Sequence, residues 1–231
     1  MILPAALRRI SDRRTEGIIL LLTVLTLAVY APVFSFGFLQ YDDQIYVTAN
    51  PRVLQGLTLN NVMWAFQSTD AGFWHPLTWI SLLLDSSLFG AWAGGFHGSN
   101  LILHIASVII LFLALRRMTN EEIPCAFVAG LFALHPLHVE SVAWIAERKD
   151  VLCGLFWMIT LWAYAHYAER PGRRRYWAVC GAYTACLMSK SMGVTLPIIL
   201  LLLDIWPLRR LQRWVNVWRL IWEKIPLFGL S

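Results

Sequence analysis

The chain has 231 residues, of which 58% are hydrophobic and 14% charged, with 12 tryptophans and a formal net charge of +5. Mean hydropathy is +0.58 and the pI is about 9.2. A water-soluble domain carries about a quarter charged residues, so the apolar surplus here needs lipid as its solvent. Nucleic-acid binding is disfavoured because the Arg and Lys residues punctuate apolar runs instead of sharing one solvated face.

The first apolar run, Ile18 to Phe36, follows Arg8, Arg9, Arg13 and Arg14 and ends in Pro32 and large aromatics. It lacks a small-residue cleavage site, which predicts an uncleaved anchor. The stretch 38–97 is rich in Trp, Phe and Leu and predicts an outer loop with one or two helices lying in the membrane interface. Apolar runs at 98–115, 123–135, 151–167, 176–188 and 194–206 follow, and another opens at Ile225. The expectation is an all-α, polytopic helical bundle of six spans forming a single membrane domain, 1–231. From Leu211, Trp214 and Trp218 onward, helical spacing of apolar residues predicts an amphipathic helix over 208–224 on the inner surface.

Placing alternate loops on alternate sides puts the arginines at 8–14, 116–117, 170–175 and 209–219, with Lys224, on one face. Only Arg52, Arg148, Lys149 and Lys190 fall on the other. Excess positive charge marks the cytoplasmic side, so the N-terminus is expected inside. Cys125, Cys153, Cys180 and Cys186 lack a Cys-x-x-Cys pair and read as small buried apolar residues, not as a zinc ribbon or disulfide framework.

The chemistry-bearing groups collect on the outer side. Asp42 and Asp43 follow the first span; two adjacent carboxylates repel and share protons, so one can serve as a general base. The alternative is a solvated loop with a capping acid. His97, Asn100 and His104, spaced i, i+3 and i+7, stack on one helix face. With His75 and with His138 and Glu140 they predict a shared polar cavity. The spacing of His135, His138 and Glu140 is not the His-Glu-x-x-His arrangement, so a divalent metal is only weakly indicated and none is assigned. Arg148 and Lys149 break the positive-inside bias, which fits either a phosphate cradle or an ion-pair cluster with Glu147 and Asp150. Lys190 fits a second phosphate ligand or simple snorkelling. Asp204 is expected to pair with Arg209 or Arg210.

The ordered string Tyr41-Asp42-Asp43, Asn50-Pro51, Gly56-Leu57-Thr58, Trp64-Ala65-Phe66, Trp74-His75-Pro76-Leu77-Thr78, Leu88-Phe89-Gly90 and Gly95-Phe96-His97 with Asn100 and His104 has a counterpart in a known membrane domain. LFALHPLHVESVAWIAERKD (Leu131 to Asp150), Met188-Ser189-Lys190 and Leu203-Asp204-Ile205-Trp206-Pro207-Leu208 continue it. From about Phe38 onward the chain resembles the N-terminal part of the transmembrane and tetratricopeptide-repeat-containing O-mannosyltransferases and their bacterial relatives, which are C-type glycosyltransferases. The resemblance implies an enzyme that takes a sugar from a polyprenyl (dolichyl-type) phosphate carrier. The sugar goes to a hydroxyl of an acceptor protein or glycan on the periplasmic or lumenal side, with Asp42 or Asp43 as catalytic carboxylate. Phosphate roles for Arg148, Lys149 and Lys190 are inferred alongside it. Members have more spans and a repeat array, so the chain is expected to be part of a longer membrane enzyme. A proton-coupled transporter or flippase and a noncatalytic fragment are the competing readings. A bacterial inner membrane is favoured over the endoplasmic reticulum by the Arg-rich, compact sequence.

Overall fold

The computed structural model describes residues 5–211 and 214–231, with side chains from 13 to 211 and from 217 on. The expectations for Arg8, Arg9, Arg213 and Trp214 therefore lie outside the described side chains. The architecture is all-α. Helix α1 (Ala5–Tyr30) runs into a 3-10 turn, Ala31–Ser35, started by Pro32. After a π-helical turn, Gln44–Thr48, come α2 (Pro51–Leu54) and α3 (Leu59–Gln67). Then follow α4 (Pro76–Phe89), α5 (Ala93–Thr119), α6 (Glu122–Leu134), α7 (His138–Ala143) and α8 (Arg148–Glu169). Helices α9 (Arg173–Ser189), α10 (Leu196–Ile205) and α11 (Trp214–Leu230) complete it.

Local chemistry explains several of these boundaries. Asn50 caps α2, its side-chain oxygen accepting from the backbone N–H of Arg52 at 3.1 Å and of Val53 at 3.3 Å, with Pro51 at the first helical position. Thr58 caps α3 through the N–H of Asn61. Between them Gly56 has φ +76°, and a Cβ there would lie 2.5 Å from Ser87 Oγ, so both conformation and space demand glycine. At the tight α4–α5 turn, a Cβ on Gly95 would meet the Phe89 ring at 2.3 Å.

Among the described residues three segments are long and apolar enough to cross a membrane: Arg13–Ser35, Ala93–Thr119 and Ile145–Glu169. The second starts five residues before the expected 98, because the glycine-containing run from Ala93 through His97 is already helical, and the segment before it accordingly ends ahead of α5. The expected spans at 123–135 and 194–206 appear as the shorter apolar helices α6 and α10, the latter entered through a 3-10 turn, Ser191–Thr195. The expected 176–188 lies within α9. The amphipathic helix expected over 208–224 is displaced toward the C-terminus, starting at Trp214 and running to Leu230.

Helix α8 is the centre of the bundle, packed along α5 on one side and α9 on the other. Cross-links sort the helix ends into two layers. At one end Thr15 donates to Glu122, Arg117 pairs with Glu169, and Asp204 of α10 pairs with Arg210 and with Lys224 of α11. This meets the expectation for Asp204, with Lys224 as an additional partner. At the opposite end the 36–92 segment meets α7, the start of α8 and the 189–195 turn, as when Thr78 Oγ1 donates to Ser189 O at 2.9 Å. A cluster of Tyr46, Val53, Ala65, Trp79, Leu82, Phe96 and Ile145 forms the core of this second layer.

Candidate active site at the second layer

The two acids of the Tyr41-Asp42-Asp43 motif have different fates. Asp43 is buried, and its carboxylate oxygens each accept a backbone N–H at 2.8 Å, Oδ2 from Leu39 and Oδ1 from Ala146. It thereby fastens the 36–92 segment to the turn that introduces α8. Burial raises its pKa, outweighing the hydrogen bonds from Leu39 and Ala146 and the charge of His97 that oppose it. Asp42 is half-buried and accepts no hydrogen bond among the described residues.

Next to the pair, the π-helical turn delivers Tyr46 into an aromatic stack. Its ring lies 5.7 Å from that of His75 and 5.0 Å from that of Trp79, nearly parallel to both. Lys149 Nζ stands 5.0 Å from the Tyr46 centroid, a cation–π contact. Burial pushes the Tyr46 hydroxyl pKa up, reinforced by the nearby charges of Glu147, Asp42 and Asp150. His75 is buried, with Nε2 unpartnered among the described residues. Burial, and then the charge of Lys149, lowers its pKa to about 4.

The Glu147-Arg148-Lys149-Asp150 run splits in two. Lys149 Nζ donates to Ala146 O at 3.0 Å and to Glu147 Oε1 at 2.7 Å. Lys190 Nζ pairs with Asp150 and lies 3.8 Å from Glu147 Oε2. These four side chains form one charged cluster facing the outer segment, and Asp150 and Lys190 are about 30% exposed. Arg148 points the other way. It is buried, with Nη2 donating to Asp85 Oδ2 at 2.5 Å and to Phe96 O at 2.8 Å, Nη1 to Ser81 Oγ at 3.1 Å, and Nε to Asn100 Oδ1. The sequence left Arg148 between a phosphate role and an ion pair with Glu147 and Asp150; in the structure all three of its guanidinium nitrogens are engaged between α4 and α5.

Of the residues expected to share a polar cavity, Asn100 and His104 lie against backbone carbonyls. Asn100 donates to the carbonyls of Val142 and Trp144. His104 is buried 3.1 Å from Ala133 O, among the rings of Tyr30, Phe132 and His138. Both are satisfied within the bundle. His97, on the same face, lines a cavity of about 610 Å³ with Phe36, Gly37, Leu39, Glu140 and Trp144. Its Nε2 lies 3.4 Å from Gly37 O and its Nδ1 is unpartnered among the described residues. Glu140 reaches this cavity from α7, apart from His75. Among the described residues no three His, Cys, Asp or Glu side chains converge as metal ligands.

Sequence reasoning missed Tyr46, whose only signal is its position three residues after Asp43. It also missed the proximity of Asp85 to Arg148, which arises from contacts 63 residues apart.

Residues 78–222 match the family model described as dolichyl-phosphate-mannose-protein mannosyltransferase; Asp42, Asp43 and His75 precede the matched region. The Protein O-mannosyl-transferase Tmtc2 of Drosophila melanogaster is 28% identical over 195 residues, 78% of this chain and 21% of the relative. The human Protein O-mannosyl-transferase TMTC2 is 30% identical over 203 residues, 82% of this chain and 24% of the relative. The mouse Protein O-mannosyl-transferase TMTC1 is 32% identical over 133 residues, 54% of this chain and 14% of the relative. The aligned region thus spans between a fifth and a quarter of the two TMTC2 relatives and less of the third. No solved structure matches the chain. A family match over more than half of the sequence, on a framework of membrane-length apolar helices, establishes that the chain belongs to the dolichyl-phosphate-mannose-protein mannosyltransferase family.

Proposed function

We propose that the chain carries the outer-side site of a membrane glycosyltransferase that moves a sugar from a polyprenyl-phosphate carrier to an acceptor hydroxyl. In this reading α1, α5, α6, α8, α9 and α10 make six crossings with the N-terminus in the cytoplasm, since the helix ends rich in arginine gather in one layer. The layer holding Asp42 then faces the periplasm or a lumen.

The observation that carries the assignment of roles is the asymmetry of the acidic pair. Both oxygens of Asp43 are taken by backbone N–H groups, whereas Asp42 keeps its acceptors free beside Tyr46. We assign Asp42 as the general base that takes the acceptor proton and Asp43 as the residue that positions it. Lys149 and Lys190, exchanging Glu147 and Asp150 for the donor, stabilise the charge that grows on the departing phosphate. The apolar cavity between Phe36, Leu39 and Trp144 is of a size that suits part of the carrier's hydrocarbon chain.

Sugar transfer from radiolabelled polyprenyl-phosphate sugars, in membranes carrying this chain, tests the reading. Asp42→Asn is expected to lower the rate by about 10²-fold or more while the protein still inserts. Asp43→Asn is expected to lower the amount of folded protein, because an amide cannot accept both N–H bonds. Full transfer by Asp42→Asn would overturn the assignment, and proton-driven uptake into vesicles without transfer would favour a transporter.

A further inference from the structure

Two cysteines stand outside every role assigned so far. Cys153 lies five residues into α8, and Cys186 lies three residues before the end of α9, so at 1.5 Å per residue both are within about 8 Å of the outer helix ends. Their Sγ atoms are 3.4 Å apart, buried between the helices. The 3-10 turn Ser191–Thr195 closes over them: a Cβ on Gly193 would lie 3.0 Å from Cys186 Sγ. The other two cysteines are placed differently. Cys125 Sγ contacts Thr119 Oγ1, and Cys180 packs in the cluster around Tyr164 and Leu200.

We propose that Cys153 and Cys186 close to a disulfide in oxidising surroundings, tying the outer end of α8 to that of α9. A disulfide needs its sulfurs about 2.05 Å apart, and here they already lie in contact at 3.4 Å. The oxidant is an external disulfide. Cys153 is 7% exposed and Cys186 fully buried, so Cys153 gives up its proton and attacks first. A mixed disulfide forms and one external thiolate leaves. The Cys186 thiolate then attacks Cys153 Sγ, making the protein S–S bond and expelling the second external thiolate. Two protein thiols are oxidised, one external disulfide is reduced to two thiols, and the two protons go to the leaving thiolates.

The bond acts on the charged cluster next to it. Asp150 precedes Cys153 by one helical turn, and Lys190 follows Cys186 by four residues. Joining the sulfurs therefore fixes the separation of the two backbones that carry the Asp150–Lys190 pair. That the bond persists in the cell rests on the outward placement proposed above, since periplasm and lumen are oxidising and cytosol is not.

The purified chain in detergent micelles is treated with dipyridyl disulfide, then unfolded and labelled with maleimide-polyethylene glycol, and its cross-links are mapped by mass spectrometry. The expected result is a 153–186 cross-link that is lost on reduction. Cys153→Ala and Cys186→Ala should each leave a pyridyl adduct or a free thiol on the remaining partner, while Cys125→Ala and Cys180→Ala should keep the bond. Pyridyl adducts on both sulfurs of the wild type, or two free thiols in a folded chain, would overturn the proposal. Membranes quenched in acid and labelled without reductant separate the two readings. A closed pair there supports both, whereas a pair reduced in membranes that closes in micelles supports the proposal and overturns the outward placement.

Discussion

A neutral imidazole against Tyr46 and Trp79 is easy to keep at neutral pH and costly to protonate, because its charge would have to sit in an aromatic cluster facing Lys149. With the folded pKa of His75 lowered from 6.5 to about 4, its contribution is fully present above pH 6.5. As pH falls the unfolded chain takes up the proton first, so stability declines from 6.5 to about 4, by a total on the order of 3 kcal/mol. Thermal unfolding in detergent between pH 7 and 4 should show this decline, and His75→Gln should flatten it. The same scale shows what could be read in the sequence. The acidic pair was legible as a pair, but which carboxylate stays free was not, since Asp43 is claimed by Ala146, 103 residues away. Arg148 and Lys149 are neighbours in sequence yet sit about 100° apart around a helix, so one enters the bundle and the other faces the outer segment.

At the scale of elements, the Arg148–Asp85 pair joins α8 to α4, while Asn100 and Phe96 O bring in α5. Removing one partner of a buried ion pair typically costs about 3–5 kcal/mol, mostly because the other charge stays behind unpaired. Arg148→Met should therefore lower the melting temperature sharply. Arg148→Met combined with Asp85→Leu should recover part of the loss, a coupling that a double-mutant cycle of unfolding free energies would reveal. If the double variant were as unstable as the sum of the single ones, the pair would not be the join we describe. Several motifs that carry the family resemblance build elements: Asn50 and Thr58 cap helices, and Gly56 passes under Ser87. Their residue types are those of turns and caps, so the sequence alone could not separate a family's scaffold from its chemistry. Helix starts were blurred for a related reason. The polar and glycine positions before 98 belong to α5, because the α4–α5 turn needs glycine for close passage, and hydropathy discounts such residues.

For the whole molecule, the helices do not match one another in length. At 1.5 Å per residue α5, with 27 residues, reaches about 40 Å, whereas α6, with 13, reaches about 20 Å and α10, with 10, about 15 Å. The hydrocarbon core of a bilayer is about 30 Å thick. In the six-crossing arrangement proposed above, short helices whose Ile123, Phe127, Leu131, Ile198 and Leu202 are exposed would draw the leaflets together around themselves. In that arrangement the protein should consequently sit in a dimple of its own making, deepest where α6 and α10 meet the bilayer. Reconstitution into phosphatidylcholines of increasing acyl length should then lower both melting temperature and transfer rate beyond an optimum chain shorter than that of a typical bilayer. A flat response would mean that the short helices are shielded from lipid by further protein. In the dimple, a sugar phosphate anchored in the surrounding membrane would descend with its leaflet toward the carboxylate, and the bilayer itself would share in bringing donor and base together.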